Sequence, residues 1–215
     1  WSTLLYGVPQ GSIIGPLLFN IYMTDLFLSI KKCEIANYAD DCTLYTSQSK
    51  TENVIEALEK DSKILFNWFE INGMKANPNK SHLLLSNSNT NLYTYIDDHK
   101  INNQNEVDLL GITVDNKLTF DNHISRLCMK ASKKLHALIR VANYMTEAQR
   151  LKVMNSFIFS QFQYCSLIWI FHSRQFNIRI NKIHERAMRV VYRDYTSDFR
   201  EILDKNNIYT IHERS

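Results

Sequence analysis

Two adjacent carboxylates, Asp40 and Asp41, stand between short β-prone runs, Ile35-Ala-Asn-Tyr-Ala39 before them and Cys42-Thr-Leu-Tyr45 after. That pattern predicts a hairpin with both acids at its turn. Neighbouring carboxylates repel one another unless cations or solvent relieve them. Nucleotidyl transfer by two divalent ions about 3.5–4 Å apart, clamping attacking and leaving oxygens, needs such a cluster. An ordinary polar turn would also carry the pair, and Asp97-Asp98, in its polar setting of His, Lys and Asn, needs no function. What sets Asp40-Asp41 apart is the apolar strand sequence pressed close on both sides, which places the turn against a core.

A second cluster precedes it. Gly7, Gly11 and Gly15 share one short window with Pro9 and Pro16, in a chain that has only five Gly and three Pro. Glycines at this spacing let a backbone approach a nucleotide or a nucleic-acid strand closely, and Gln10 between them offers both a donor and an acceptor. No Lys-Ser/Thr follows, so the loop is not a phosphate-binding P-loop. A plain helix-entry loop has the same pattern.

The elements that must position these residues follow from periodicity. Pro16 suits a first helical turn, and Leu17, Leu18, Ile21, Leu26 and Ile30 predict a helix over 17–30 ending at Lys31 and Lys32. Ser49 and Glu52 form a capping-box pattern ahead of Val54, Ile55, Leu58, Leu65, Trp68 and Phe69, with Gly73 as the stop. Strands are expected at 82–86, 92–96 and 107–114, with a turn at 87–91. After Phe120 the chain turns helical. Ile124, Leu127, Ala131, Leu135, Leu138 and Ala142 mark an apolar face, Thr146 and Gln149 open a central helix running to Phe171, and further helices are expected over 173–193 and 198–205. The fold class is therefore α+β, with a boundary near Asp115: mixed elements over 1–114, then a basic helical bundle over 115–215.

Composition bounds the rest. With 215 residues, 45% apolar and 22% charged, the chain can bury a real core, and its mean hydropathy of −0.29 excludes disordered, collagenous and coiled-coil classes. No apolar run approaches the ~18–20 residues of a membrane span, so no membrane partner is expected. Cys33, Cys42, Cys128 and Cys165 lack metal-ligand spacing and are too sparse for a disulfide scaffold, which points to reduced thiols and an intracellular setting, nucleus or cytoplasm. No signal peptide opens the chain, and Trp1 is no natural start, so a piece of a longer protein is expected. The net charge of +3 hides an asymmetry: residues 1–110 carry 8 basic and 13 acidic groups, a net of −5, and residues 111–215 carry 17 and 9, a net of +8. A cation site beside a polyanion-binding surface would give that split, and so would two unrelated solvated surfaces.

Taken together, the motifs resemble those of a known family. The stretch Gly7-Val-Pro-Gln-Gly-Ser-Ile-Ile-Gly-Pro-Leu-Leu-Phe-Asn-Ile-Tyr22 and Tyr38-Ala-Asp-Asp41 resemble consecutive motifs of reverse transcriptases of non-LTR, jockey-like retrotransposons. Asn72-Gly-Met-Lys-Ala-Asn-Pro-Asn-Lys-Ser81 is similar to the next motif, Leu109-Leu-Gly-Ile-Thr-Val114 to the primer grip, and Asn181-Lys-Ile-His-Glu-Arg-Ala-Met-Arg-Val-Val-Tyr192 to that lineage's C-terminal region. The resemblance covers nearly the whole chain. It implies a partial right-hand polymerase palm (helix, Asp-Asp hairpin, packed helix, strands) with its primer grip, followed by a helical thumb.

The same resemblance implies the chemistry of an RNA-directed DNA polymerase, which adds dNTPs to a DNA primer 3′-OH on an RNA template. Asp40 and Asp41 would be the catalytic and metal-binding carboxylates for two Mg²⁺ ions, for which Mn²⁺ can substitute. Gln10, Gly11 and Tyr38 would line the template and dNTP pocket. Lys75 or Lys80 would protonate the pyrophosphate, and Leu110 and Gly111 would sit beneath the primer end. Arg126, Lys130, Lys133 and Lys134 would hold the backbone of the RNA–DNA heteroduplex. Upstream fingers and endonuclease regions of a parent polyprotein are also implied. Cys42 departs from the threonine expected at its position. The larger departure is that the family's other metal-binding aspartate lies upstream of the glycine loop, and none of residues 1–6 is acidic. The chain by itself is therefore expected to be inactive. The alternative is a catalytically dead relic or a co-opted nucleic-acid-binding module.

Overall fold

The computed structural model describes residues 7, 11–88, 92–96 and 98–213. The chain divides into two compact units, Trp1–Asn105 and Glu106–Ser215. This break falls ahead of the change in charge and periodicity near Asp115, so the 107–114 segment packs with the helices that follow it.

In the first unit, α1 (Gly15–Tyr22) starts with Pro in its first turn, where a missing N–H leaves nothing unsatisfied. The helix does not run on to Ile30; a single turn, α2 (Leu26–Ser29), follows separately. Thr24 Oγ1 donates to the Asn20 carbonyl at 3.0 Å and Ser29 Oγ to that of Asp25 at 3.2 Å, local bonds that compete with the helical ladder. Strands β1 (Glu34–Tyr38) and β2 (Asp41–Tyr45) then form an antiparallel hairpin.

Helix α3 (Thr51–Ile71) is the spine of this unit. It begins at Thr51 with Lys50 in the cap position and no side-chain cap bond, so Ser49 lies one residue too early and the Ser49–Glu52 box does not form. Its other end is as Gly73 foretold: the Met74 amide bonds the Phe69 carbonyl at 2.8 Å and the Gly73 amide that of Glu70 at 3.0 Å, with Gly73 at φ 68°. That is a Schellman stop. Leu65 and Trp68 bury against Met23 and Leu26, with Ile35, Cys42 and Leu44 of the hairpin packed beside them. Val54, Ile55, Leu58 and Phe66 serve a second small core made by Leu83, Leu85, Ile96 and Ile101.

The strand expected at 82–86 is a single bridge, Leu83 to Asn103, because the Asn103 side chain takes the Leu85 amide at 2.9 Å and ends the pairing. Strands β3 (Tyr93–Ile96) and β4 (His99–Asn102) pair antiparallel. Of the 87–91 turn, Asn87 is left-handed at φ 56°; residues 89–91 and Asp97 lie outside the described residues.

The second unit opens with β5 (Glu106–Leu109) and β6 (Ile112–Asp115), a hairpin where one strand was expected over 107–114. The chain reverses at Leu110-Gly111, both at positive φ (49° and 82°), the sign pattern of a type I′ turn. Helix α4 (Asp121–Val141) buries Ile124, Leu127, Ala131, Leu135 and Leu138 as the periodicity required. Helix α5 (Glu147–Val153) carries the expected capping box between Thr146 and Gln149.

The central helix does not reach Phe171 unbroken. It passes through a π-helical stretch, Met154–Phe159, into the short α6 (Ser160–Gln163), breaks at extended Tyr164 and left-handed Cys165 (φ 46°), and resumes as α7 (Leu167–Ile170). The buried Trp169 indole N–H takes the Phe162 carbonyl at 3.0 Å, an acceptor a continuing helix would have used. Helices α8 (Arg174–Tyr192) and α9 (Phe199–Lys205) complete the unit, α9 with an Asp198–Glu201 capping box. One large core built on Phe162, Trp169, Ile180 and Met188 joins them. Inside it, Arg150 donates Nε to the Val191 carbonyl at 2.8 Å and Nη1 to that of Met145 at 2.6 Å, satisfying carbonyls at helix ends. Among the described residues no helix is long and apolar enough to cross a membrane.

Candidate active site

Hairpin β1–β2 is amphipathic. Ile35 and Asn37 on β1 and Cys42 and Leu44 on β2 are half-buried, while Tyr38 and Asp41, paired across the strands, are exposed and share the opposite face. Asp40 is also exposed, in the two-residue turn it forms with Ala39. Ala39 is left-handed at φ 52°, a conformation costing a side-chain-bearing residue roughly 1–2 kcal/mol. The turn is held from below. Asn37 Nδ2 donates to the Ala39 carbonyl at 3.1 Å, and the Cys42 thiol donates to Asn37 Oδ1 at 2.8 Å. Burial, and then the charges of Asp41 and Asp40, push the Cys42 thiol up to about 11, so it stays a neutral donor. Cys42, the departure from the expected threonine, thus supports the turn.

Among the described residues the carboxylate of neither Asp40 nor Asp41 forms a hydrogen bond or an ion pair, and no group of three or more His, Cys, Asp or Glu gathers to hold a metal. The hairpin therefore presents two uncommitted carboxylates. Mg²⁺ favours hard oxygen donors and is commonly held by one or two carboxylates together with substrate phosphates. The pair fits that ion.

A buried carboxylate anchors the hairpin's base. Asp61, fully buried on α3, accepts through one oxygen the amides of Lys31, Lys32 and Cys33 at 3.2, 2.6 and 2.6 Å, where the chain enters β1. Its signal was present in the sequence: Asp61 interrupts the apolar stripe of Val54, Leu58, Leu65 and Trp68. Asn37 gave a weaker one, as an amide beside a turn.

The other expected residues of this unit are not drawn onto the carboxylates by any contact between described residues. Gly11 is exposed at φ 78°, and Gln10 lies outside the described residues. Lys75 and Lys80 are exposed on the segment after α3, their ammonium groups unpaired with any described residue.

In the second unit, Leu110 and Gly111 form the tip of hairpin β5–β6, and Arg126 of α4 is committed to that hairpin. Its guanidinium donates to Glu106 at 3.0 Å and to Thr113 Oγ1 at 2.9 Å, and lies 3.5 Å from Asp108. The Thr113 amide donates to His123 Nδ1 at 3.2 Å. Burial, and then Lys130 and Arg126, hold His123 below the ordinary imidazole range, with Asp108 opposing. Tyr164 donates its hydroxyl to the Leu110 carbonyl at 2.7 Å. Lys130 and Lys133 are exposed on the face of α4 opposite its buried residues, and Lys134 is half-buried. Helix α8 carries a comparable stripe in Arg179, Lys182 and Arg186, exposed and spaced three and four residues apart.

Residues 2–114 match the family profile described as reverse transcriptase (RNA-dependent DNA polymerase). The chain belongs to the reverse transcriptase family. Relatives in Drosophila melanogaster include a probable RNA-directed DNA polymerase from transposon BS, 27% identical over 199 residues, covering 86% of this chain and 22% of that protein. A probable RNA-directed DNA polymerase from transposon X-element is 24% identical, over 86% of this chain and 21% of the relative. The RNA-directed DNA polymerase from mobile element jockey is 28% identical, over 56% and 14% respectively. The chain therefore spans about a fifth of the length of the curated relatives it first matches. No solved structure matches it. The jockey-like resemblance of the motifs agrees with these names.

Proposed function

We propose that the chain is part of an RNA-directed DNA polymerase that extends a DNA primer 3′-OH with dNTPs on an RNA template, with Asp40 and Asp41 as its metal-holding carboxylates. The observation that carries this reading is the pair of exposed, unpaired carboxylates at a hairpin tip held in a strained turn. Strain kept in place by surrounding bonds is common at working sites. Bound Mg²⁺ would neutralise phosphate charge and align the attacking and leaving oxygens. The chain's own part is positional. Asp40 and Asp41 hold the ions, Tyr38 flanks them on the same face, and Gln10 and Gly11 line the pocket for the incoming nucleotide. Lys75 or Lys80 supplies a proton to the departing pyrophosphate. Leu110 and Gly111 support the primer end. Lys130, Lys133 and Lys134, with Arg179, Lys182 and Arg186 as a second stripe, hold the heteroduplex backbone without reading sequence.

Primer extension on an RNA template tests this reading. In the polymerase carrying this chain, Asp41→Ala and Asp40→Ala should each reduce incorporation at least about 100-fold, the scale of losing a group that stabilises transition-state charge. Chelation of divalent ions should abolish incorporation, and Mg²⁺ or Mn²⁺ should restore it. The 215-residue polypeptide alone is expected to bind primer–template without extending it, because the carboxylate pair lacks the third aspartate that the motif resemblance calls for. Incorporation by that polypeptide, lost in Asp41→Ala, would overturn the inactivity. A polymerase whose extension ignores both substitutions would favour the nucleic-acid-binding relic.

A further inference from the structure

We infer that Tyr164 is a positioning residue for the primer end, acting through the tip of hairpin β5–β6; the inference rests on the assignment of Leu110 and Gly111 to primer support. Three observations converge on it. First, the tip is strained. A type I′ turn favours Asn-Gly, yet its first central residue is Leu110 at φ 49°, a conformation that bulky side chains seldom adopt. Leu109 and Leu110 are also 39% and 41% exposed, so this end of the hairpin presents two apolar side chains at the surface.

Second, the two ends of this hairpin are fastened differently. At its base, Glu106 accepts from Asn122 at 2.9 Å and from Arg126 at 3.0 Å, and further along, one pair short of the tip, Thr113 is bonded to Arg126, Asp108 and His123. At the tip, the Tyr164 hydroxyl meets the carbonyl of the strained residue itself, Leu110, at 2.7 Å. Third, the main-chain break that presents Tyr164 is an irregularity that periodicity did not foretell. A π-helical stretch, Met154–Phe159, precedes it, and left-handed Cys165 follows. Such π insertions are frequent at functional sites.

Removal of the hydroxyl therefore frees the tip while the base stays bonded. A primer 3′-OH supported by a loose tip would still be bound by the basic helices but held off its attack geometry, and a displacement near 1 Å costs on the order of 100-fold in rate. The test is Tyr164→Phe in the polymerase carrying this chain, read by single-turnover incorporation, primer–template affinity and thermal melting. We expect incorporation to fall about 10- to 100-fold, with melting unchanged and affinity within about twofold, since backbone contacts supply most of the binding. Leu110→Asn is the companion variant, because it suits the turn and removes the apolar side chain.

Slower extension in both variants, at unchanged affinity, supports the inference. If Leu110→Asn slows extension and Tyr164→Phe does not, the role of Tyr164 falls and primer support by the tip stands. If Leu110→Asn extends primers normally, primer support by the tip falls, and the role of Tyr164 with it. Parallel losses of rate, affinity and melting in Tyr164→Phe would mark a purely structural contact and overturn the inference. An unsubstituted polymerase that extends no primer would overturn both readings.

Discussion

Asp40 and Asp41 owe their availability to residues that do no chemistry. Asn37 ties the turn to the strand below it, and the neutral Cys42 thiol holds Asn37. The weak point of this arrangement is Ala39, whose left-handed backbone is the kind glycine adopts freely. Ala39→Gly should relieve the turn while adding freedom to the unfolded chain, for a net gain of about 0.5–1 kcal/mol in urea unfolding. A loss of stability would mean that the Ala39 methyl is held by contacts stronger than the backbone strain. Asn37 illustrates a limit of motif reading. The motif draws the eye to Asp40 and Asp41, while the amide that fastens their turn stands just outside its strictest part.

At the scale of elements, hairpin β5–β6 shows how little of a short segment's fate lies in its own composition. Its residues 107–114 are mostly β-prone and read as one strand; Leu110 and Gly111 divide it, and bonds from α4 and Tyr164 hold the division in place. One of those bonds is sensitive to pH. His123 accepts the Thr113 amide through Nδ1, so the fold needs that nitrogen unprotonated. Burial first, then Lys130 and Arg126, lower its affinity for a proton below the ordinary value of 6.5. Folding therefore favours neutral His123. Its contribution is complete above pH 6.5 and is lost as the pH falls through the lowered value. Comparison with His123→Leu isolates the effect. The difference in urea midpoint between the parent chain and the variant should be larger at pH 7 than at pH 5. An equal difference at both values would show that the imidazole is not linked to the hairpin.

For the whole molecule, charge asymmetry is the property with a consequence for binding. Residues 1–110, with their acidic balance, carry the Asp40-Asp41 hairpin, and the basic balance of residues 111–215 includes exposed stripes on α4 and α8. Duplex binding by the 215-residue chain should weaken steeply with salt, and each phosphate contact removed should lower the log–log slope by about 1. Lys130→Glu, Lys133→Glu and Lys134→Glu together should flatten that slope, whereas Asp41→Ala should leave it unchanged. Arg126 is a poor choice for the same experiment, since its guanidinium already bonds Glu106 and Thr113. Binding that survives the triple reversal would move the contact to Arg179, Lys182 and Arg186 on α8.

The sequence by itself determined what depends on neighbours close along the chain. The Asp-Asp hairpin, the Gly73 helix stop, the Thr146–Gln149 box and the apolar faces of α3 and α4 are set by periods of two or 3.6 residues and by local backbone preferences. Family membership was legible for the same reason, because its motifs are contiguous strings. Tertiary structure alone decided the rest. The 147–171 helix breaks, Arg126 turns to a hairpin, and Tyr164 meets Leu110 from 54 residues away. Each of these depends on a polar group finding its partner across the fold. Asp61 meets the amides of Lys31–Cys33, and the Trp169 indole meets the Phe162 carbonyl. A buried donor or acceptor must be satisfied by whatever packing brings near it, and that is information the linear pattern does not contain.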